Sequence, residues 1–403
     1  MPKRVLYVHF HPTLGGAGIS LLGLIKHLDL SRFSPHVLNT SRAGGEVISI
    51  FQSMQIEADH FLVDLVWDHP WLSLSNLRSR AWKAFRVNKQ VRRYLEVLQP
   101  DIVNRTDFVL TAVGITASQM GIPVIWHCRH ILTHKRPLVD PGRAIIGAMM
   151  KYARHIIAIS ESEAAQFVSD KTMVIYNPLE TDRWAKVRGS GPAMRKGLGI
   201  GPDEFVVTAP IPLVDDKGAF DFIEACGVAK GLAPNLKMRF IVVGMIPSPM
   251  RRHRLRQWTL GLGPESEVDR AHRLSREWDV EDQLILTGFR TDVDTIMDAS
   301  DLIVFPSHLR ACGRACFEAG ALGKPILVTL PNKDTRIVLD NETGLILPEK
   351  QPHVLGEAIA HLAQNPAEVT RLGQGGFNFV PRTFDARQHA QQVMDLYELA
   401  CGT

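Results

Sequence analysis

The sequence predicts an α/β protein of two domains, each a parallel sheet wrapped by helices. Three observations carry this. Short apolar runs alternate with helical patterns along the whole chain, as in parallel sheets joined by helical crossovers. A chain of 403 residues exceeds what one ordinary core organises and suits two. A stretch at 185–203, rich in glycine, proline and basic residues, breaks the alternation midway and reads as a linker.

In chain order, strands are expected in the first half at 5–10, 36–39, 61–65, 101–105, 124–127, 156–160 and 173–176. Each is an apolar run too short for a helix and bounded by polar or turn residues. Helical periodicity fills the gaps at 18–27, 78–98, 109–119, 143–152 and 161–168. After the linker, strands are expected at 205–210, 239–244, 284–288, 302–306, 325–328 and 344–347. Helices are expected at 219–230, 268–278, 292–298, 313–322 and 354–364, and 386–400 is a good amphipathic helix. The domains are therefore drawn at 1–190 and 200–380, with a closing segment at 381–403. Ligands of such sheets bind beyond the carboxyl ends of the strands. Neither half contains a short internal repeat.

Composition narrows the class. With 45% hydrophobic and 22% charged residues and no biased tract, the chain reads as a soluble globular protein. No apolar run approaches the roughly 20 residues that span a bilayer. The opening MPKR leads into an apolar run interrupted by His9 and His11, with no small-residue cleavage site after it. That reads as a first strand rather than a signal peptide. The five cysteines are an odd number and scattered; Cys312 and Cys316 lack a second ligand pair, which argues against zinc. A reducing, cytoplasmic setting fits them.

A net charge of +4 names no partner, but its distribution is uneven. Arg78, Arg80, Lys83, Arg86, Lys89, Arg92 and Arg93 follow one another with no acid among them, interleaved with Trp82 and Phe85. This is either a solvated basic helix face or a contact with an anionic membrane surface. No nucleic-acid motif accompanies it.

Three constellations bear chemistry. Gly15, Gly16, Ala17 and Gly18 follow the first strand and open a helix. Small residues there let a phosphate approach free backbone N–H groups, although a plain tight turn has the same composition. The run is not G-x-G-x-x-G, and no G-x-x-x-x-G-K-[ST] occurs, which weighs against a dinucleotide oxidoreductase and a P-loop. Asp215, Asp216, Lys217 and Gly218 follow the first strand of the second half, where a lysine suits a diphosphate as a point charge or simply closes a surface turn. The third run begins at His308 after the strand at 302–306 and continues through Arg310, Cys312, Gly313, Arg314, Cys316 and Glu318 to Lys324 and Pro325. Gly313 falls where a helix should begin and could admit a phosphate. Glu318 lies one to two turns in, flanked by Phe317, Ala319 and Ala321, where a carboxylate can accept hydrogen bonds from ribose hydroxyls.

In order and spacing these constellations resemble the GT-B retaining glycosyltransferases, of the family 4-like or group 1 kind, over nearly the whole chain. Gly15 and Gly16 resemble that family's first glycine loop. PDIV at 100–103 and GIPVIWH at 121–127 resemble its fourth and fifth strands. IAISE at 157–161 and VIYNP at 174–178 resemble the segments before the linker. Lys217 with Gly218 resembles its phosphate contact. TGF at 287–289, ASD at 299–301 and FPS at 305–307 resemble the approach to its donor loop. Gly313, Arg314 and Glu318, with GKP at 323–325 and ETGL at 342–345, complete the pattern.

The resemblance implies two Rossmann-like domains facing across a cleft, with the last helix returning to the first domain. It implies transfer of a sugar from a nucleoside diphosphate sugar to an acceptor hydroxyl on a polysaccharide, a lipid-linked or a small-molecule acceptor. It further implies that configuration is retained and that no metal or other cofactor is used. Gly15, Gly16, Lys217, Arg310, Gly313, Arg314 and Glu318 would bind the donor. His127, Arg129 and Lys217 would be catalytic, with either His127 or His130 touching the sugar.

Five positions depart from the family. Pro212 stands where an arginine is usual. Arg310 replaces the first of two glutamates seven residues apart, and Cys312 the phenylalanine after it. Arg336 falls at a third acidic place, and Arg129 at the place of the histidine that the family often carries after strand five. Arginine donates but cannot accept hydrogen bonds, so Arg310 suits a carboxylate on the sugar or the diphosphate itself. The same departures leave open a GT-B protein that binds nucleotide without turnover.

Overall fold

The computed structural model describes residues 1–11, 14–41, 45–60, 77–107, 111–132, 141–246, 265–309, 311–331 and 336–402, without the side chains of 77–86 and 141. The chain divides into two compact units. The first comprises Met1–Leu179 with Phe384–Thr403, the second Glu180–Thr383.

The first unit is a seven-stranded sheet: β1 (Lys3–His9), β2 (Phe33–Asn39), β3 (Glu57–His60), β4 (Ile102–Arg105), β5 (Val124–Cys128), β6 (His155–Ala158) and β7 (Thr172–Val174). Its order is β3-β2-β1-β4-β5-β6-β7, and every neighbouring pair is parallel. Strands buried on both faces explain the near-continuous apolar runs in the sequence. The order reverses between β1 and β4, the switch point where a ligand crevice opens at the carboxyl ends. The strand expected at 61–65 lies outside the described residues; the strand pairing with β2 is Glu57–His60.

Helices α1 (Gly16–Lys26), α2 (Gly45–Ser53), α3 (Leu77–Leu98), α4 (Thr111–Gln119), α5 (Pro141–Tyr152) and α6 (Glu161–Ala164) join these strands. One core packs Leu6, Val91, Leu95, Val113, Trp126 and Met149. The other packs Tyr7, Leu24, Phe33, Ile125 and Ile157.

The second unit opens with α7 (Thr181–Val187) and α8 (Gly191–Gly197). Its sheet comprises β8 (Phe205–Ala209), β9 (Met238–Val243), β10 (Leu284–Gly288), β11 (Leu302–Phe305), β12 (Ile326–Thr329) and β13 (Gly344–Leu347), in the order β10-β9-β8-β11-β12-β13. All pairs are again parallel, with the switch point between β8 and β11. Its helices are α9 (Ala219–Leu232), α10 (Glu267–Glu277), α11 (Val293–Asp298), α12 (Ala315–Ala321), α13 (Pro352–Gln364) and α14 (Pro366–Thr383).

The stretch read as a linker, 185–203, belongs to this second unit. The Gly191 N–H donates to Asp298 Oδ2 at 2.8 Å, and Arg195 Nη2 donates to Asp301 Oδ2 at 2.7 Å. The chain crosses between units at 179–180 and 383–384 instead of near 190–200 and 380. Both crossings lie side by side, since the Leu179 N–H donates to the Phe384 carbonyl at 2.7 Å.

The last helix, α15 (Ala386–Cys401), returns to the first unit. Asp385 caps it, accepting from the N–H groups of Arg387 and Gln388 at 2.9 Å. Ala390, Val393, Met394, Leu396 and Tyr397 enter the first unit's second core. The Tyr397 hydroxyl accepts from Asn104 Nδ2 and donates to the Tyr7 hydroxyl at 3.1 Å.

Candidate active site

In the second unit the chemistry gathers at the carboxyl end of the β8/β11 switch point. After β8 the chain makes a single 3-10 turn, Asp215–Lys217, and passes through Gly218 into α9. Only glycine serves at 218. Its φ is +71°, and a Cβ there would stand 1.8 Å from the Pro306 carbonyl oxygen. This close approach seats the turn directly on the chain leaving β11, where the His308 N–H also donates to the Asp216 carbonyl at 3.1 Å.

Lys217 is half-buried, with Nζ 5.9 Å from the centroid of the Phe305 ring. It makes no direct hydrogen bond or ion pair among the described residues. Burial lowers its pKa, while Asp216 and Cys316 favour the charged form. A cation held partly dry without a direct ion pair is poised for an anion. Gly313 touches the same ring: a Cβ there would lie 2.5 Å from Phe305 Cζ. The Phe305 ring therefore fixes how closely the backbone before α12 approaches Lys217.

Glu318 lies in the first turn of α12, half-buried, and accepts from Arg314 Nε at 2.9 Å. Arg314 itself rests over the Phe317 ring, 5.2 Å from its centroid. The pair orients the carboxylate and leaves Glu318 further acceptor capacity. The Cys316 thiol is buried, which raises its pKa, and is hydrogen-bonded to Cys312. Arg310 lies outside the described residues. Arg336 is exposed.

In the first unit, Gly15 caps α1 without a side-chain bond, so the first N–H groups of the helix rely on other partners. A Cβ at Gly15 would meet nothing within 4 Å, whereas one at Gly18 would stand 3.5 Å from the His9 ring. His9, at the end of β1, pairs through Nδ1 with Thr106 Oγ1 at 3.2 Å. Arg129 is anchored, with Nε donating to the Thr106 carbonyl at 2.9 Å and Nη1 to Asn177 Oδ1. Asn177 Oδ1 also accepts from Ser20 Oγ at 3.1 Å.

The two histidine candidates separate. His127 is buried in β5, with both ring nitrogens lacking a hydrogen-bond partner. Burial holds its pKa well below the ordinary value, reinforced by Arg129 and His389. His130 is 52% exposed, with Nε2 3.6 Å from Asp107 Oδ2.

Sequence reasoning missed Asp107. Its carboxylate is 4% exposed and faces both His130 and His11, the latter at 3.4 Å. The three residues follow β1, β4 and β5, and no local spacing announces their meeting. Arg105, just before it, is buried with its guanidinium 4.1 Å from the Trp126 ring centroid. Burial opposes its charge and Asp107 supports it. Gly114 makes the room, since a Cβ there would lie 3.0 Å from Arg105 Cδ.

Known proteins share this fold. Residues 14–183 match the model described as Glycosyltransferase Family 4, and residues 192–379 the model described as Glycosyl transferases group 1. A lipopolysaccharide core biosynthesis glycosyltransferase, LpsD of Rhizobium meliloti, is 26% identical over 35% of this chain and 40% of its own length. A D-inositol 3-phosphate glycosyltransferase of Streptomyces bingchenggensis is 23% identical over 74% of this chain and 66% of its own length. The chain thus spans about half the length of the first curated relatives it matches.

Among solved structures, Anabaena HepE in complex with UDP and glucose superposes with a TM-score of 0.76 at 19% identity, over 98% of this chain and 100% of that one. The sucrose-phosphate synthase of Thermosynechococcus elongatus gives 0.75 at 18% identity over 98% of each. Two sheets of Rossmann order, a last helix that returns to the first unit, and two family models that together take in most of the sequence agree: the chain belongs to the GT-B glycosyltransferases, with a family 4 first half and a group 1 second half.

Proposed function

We propose that the protein transfers a sugar from a nucleoside diphosphate sugar to an acceptor hydroxyl. The observation that carries this is Lys217, an ammonium with no direct protein partner among the described residues, half-buried over Phe305 at the switch point of the second sheet. Lys217 and the backbone N–H groups near Gly313 would hold the diphosphate, and those near Gly16 would add a second helix N-terminus. Glu318, steadied by Arg314, would take the ribose hydroxyls. Arg310 would grip either the diphosphate or a carboxylate on the sugar.

In the first unit, Arg129 and His127 would serve the sugar, His127 as a neutral imidazole. His130 and His11 around Asp107 would receive the acceptor hydroxyl. Charge develops on the departing diphosphate and on an oxocarbenium-like sugar. Positioned cations and N–H groups stabilise the first, and the leaving phosphate can take the acceptor proton. Retention of configuration without a metal is what the family resemblance implies. HepE, described in complex with UDP-glucose, supports a uridine diphosphate sugar as the first donor to try.

The test is a screen of nucleotide sugars for thermal stabilisation, followed by assay of nucleoside diphosphate release with candidate acceptors. Stabilisation with turnover establishes the transferase. Stabilisation by a nucleoside diphosphate with no turnover on any acceptor favours the non-catalytic reading, for which the replacement of the family's usual arginine by Pro212 speaks.

The helix α3 bears on where the protein works. Lys89, Arg92 and Arg93 are exposed on it, and no described helix is long and apolar enough to cross a membrane. The basic face of α3 would hold the protein at an anionic surface, at about 1 kcal/mol per basic residue. Sedimentation with anionic vesicles at low salt, lost on neutralising these residues, tests it. Failure of the unmodified protein to sediment leaves a solvated basic face.

A further inference from the structure

The second unit carries a cavity of about 220 Å³ at the amino ends of its strands, the opposite end of the sheet from Lys217. It opens beside the residues that enter β11 and β12, and its wall includes Arg188, Asp301, Lys324, Thr370, Gln374 and Phe377. None of these is a candidate donor contact.

The charges around it do not cancel. The Lys324 ammonium is half-buried and makes no hydrogen bond or ion pair among the described residues. Arg188 stacks on Phe377, its guanidinium carbon 4.2 Å from the ring centroid, and likewise makes no ion pair among the described residues. The acids nearby are already engaged. Asp301 Oδ2 accepts from Arg195 Nη2 and from the Val206 N–H, both at 2.7 Å. Asp298 Oδ2 accepts from the Gly191 N–H at 2.8 Å. Burial works against the Lys324 charge, with Asp298 and Asp301 only partly offsetting it.

A cation just past the end of α12 also gains from the helix dipole, but that gain requires no cavity. The neutral wall adds a second kind of contact. Thr370 Oγ1 donates to the Pro366 carbonyl at 3.0 Å and keeps its acceptor lone pairs. Gln374 spends its amide N–H on Asn378 Oδ1 at 2.9 Å, leaving its carbonyl oxygen to accept. Two cations and two hydroxyl-accepting groups suit a phosphate that carries a small hydroxylated body. The volume lies below the roughly 300–1,000 Å³ of sites for drug-sized ligands, which bounds the ligand's size.

We propose that this cavity binds a phosphate group, free or as the ester of a small hydroxylated molecule, between Lys324 and Arg188. Such binding does not depend on the donor site. Calorimetry on the full-length protein at constant ionic strength would use inorganic phosphate, glycerol 3-phosphate and glycerol. Binding of glycerol 3-phosphate, tighter than of phosphate and absent for glycerol, is the expected result for the ester. Equal binding of the two phosphates identifies the free ion as the ligand.

In either case Lys324→Gln and Arg188→Gln should each weaken binding at least tenfold, while Lys324→Arg recovers most of it. Lys217→Ala should leave it unchanged, which separates this cavity from the donor site. Arg188 is exposed, so its variant stays informative should Lys324→Gln fail to fold. No binding of either phosphate overturns the proposal. So does binding that survives in Arg188→Gln and Lys324→Gln, or that is lost in Lys217→Ala.

Discussion

Glu318 accepts a hydrogen bond from Arg314 Nε at 2.9 Å, one turn away on the same half-buried face. In the proposed site each partner would do a separate job. Glu318→Gln keeps the shape but weakens the carboxylate's grip on a ribose, with a loss of roughly 1.5–3 kcal/mol for hydrogen bonds to a charged group. Arg314→Ala removes only the steadying contact, and i,i+4 pairs contribute about 0.3–0.5 kcal/mol. Calorimetry with a nucleoside diphosphate should therefore rank Glu318→Gln well above Arg314→Ala in damage. The reverse order would make Arg314 the ligand-binding member.

Lys217→Ala should weaken nucleoside diphosphate binding by roughly ten- to a hundredfold, the equivalent of about 1.5–3 kcal/mol, with the fold intact. Its pH dependence has two opposite signs. Burial sets the folded pKa below the ordinary 10.5, so between those values the unfolded chain binds more protons. Stability therefore rises with pH across that window. Affinity for the diphosphate falls across the same window, because only the ammonium attracts it. A profile in which affinity stays flat through the alkaline range would remove Lys217 from the phosphate contact.

His127 follows the same logic at acid pH. Its folded pKa lies well below 6.5, so the unfolded state takes up a proton that the buried ring refuses. Stability contributed by the neutral ring is complete above about pH 6.5 and is lost as pH falls toward the lowered value, with a slope of at most about 1.4 kcal/mol per pH unit. His127→Gln removes this titration. Thermal midpoints measured from pH 7.5 downward should fall more steeply for the unmodified protein than for the variant. Parallel curves would mean that the His127 pKa is the same in the folded and unfolded states.

How far the sequence discloses this structure depends on whether the cause is local. Strands such as Val124–Cys128 announce themselves as apolar runs because parallel strands are buried on both faces. The helix Pro366–Thr383 does not, for it holds Gly373, Gly375, Gly376 and Pro381, all poor helix formers. Tertiary contact makes it. A Cβ at Gly376 would lie 2.9 Å from the Gly320 Cα, and one at Gly373 would lie 2.2 Å from the Gly323 carbonyl oxygen. Those glycines let the helix pack on α12 backbone to backbone. Asp107 was invisible for a related reason, because its two histidines arrive from other loops. Lys217 and Glu318 were legible because each sits at a fixed place in a strand–turn–helix unit.

Gly218→Ala should act on the fold before it acts on binding. The left-handed backbone alone costs a non-glycine residue about 1–2 kcal/mol, and the Cβ would also overlap the Pro306 carbonyl. For a unit of this size each kcal/mol lowers the midpoint by about 2–4 °C. Both the turn and the chain after β11 must move, so Lys217 moves with them. A variant with unchanged midpoint and unchanged nucleotide affinity would show that the Gly218–Pro306 approach does not constrain the turn.

The two glycines expected at phosphate contacts should respond differently to the same substitution, and the difference tests whether space or backbone approach is at stake. At Gly15 an added methyl meets nothing within 4 Å, whereas at Gly313 it would lie 2.5 Å from Phe305 Cζ. Gly15→Ala can therefore be accommodated without disturbing the protein. It reduces binding only if a phosphate comes up against that backbone, where the methyl would stand in its way. Gly313→Ala must displace the Phe305 ring, which is packed with only 6% exposure beneath Lys217. The ring can yield only by pushing on its neighbours, so stability falls and the Lys217 seat shifts. The expected pattern is a normal thermal midpoint with weakened nucleotide binding for Gly15→Ala, and a lowered midpoint with weakened binding for Gly313→Ala. Paired unfolding and calorimetry on the two variants reads it directly. If Gly15→Ala binds the nucleotide as the unmodified protein does, the first glycine loop is a tight turn and contributes no phosphate contact. If Gly313→Ala keeps both its midpoint and its affinity, the Phe305 ring does not set the approach of the backbone to Lys217.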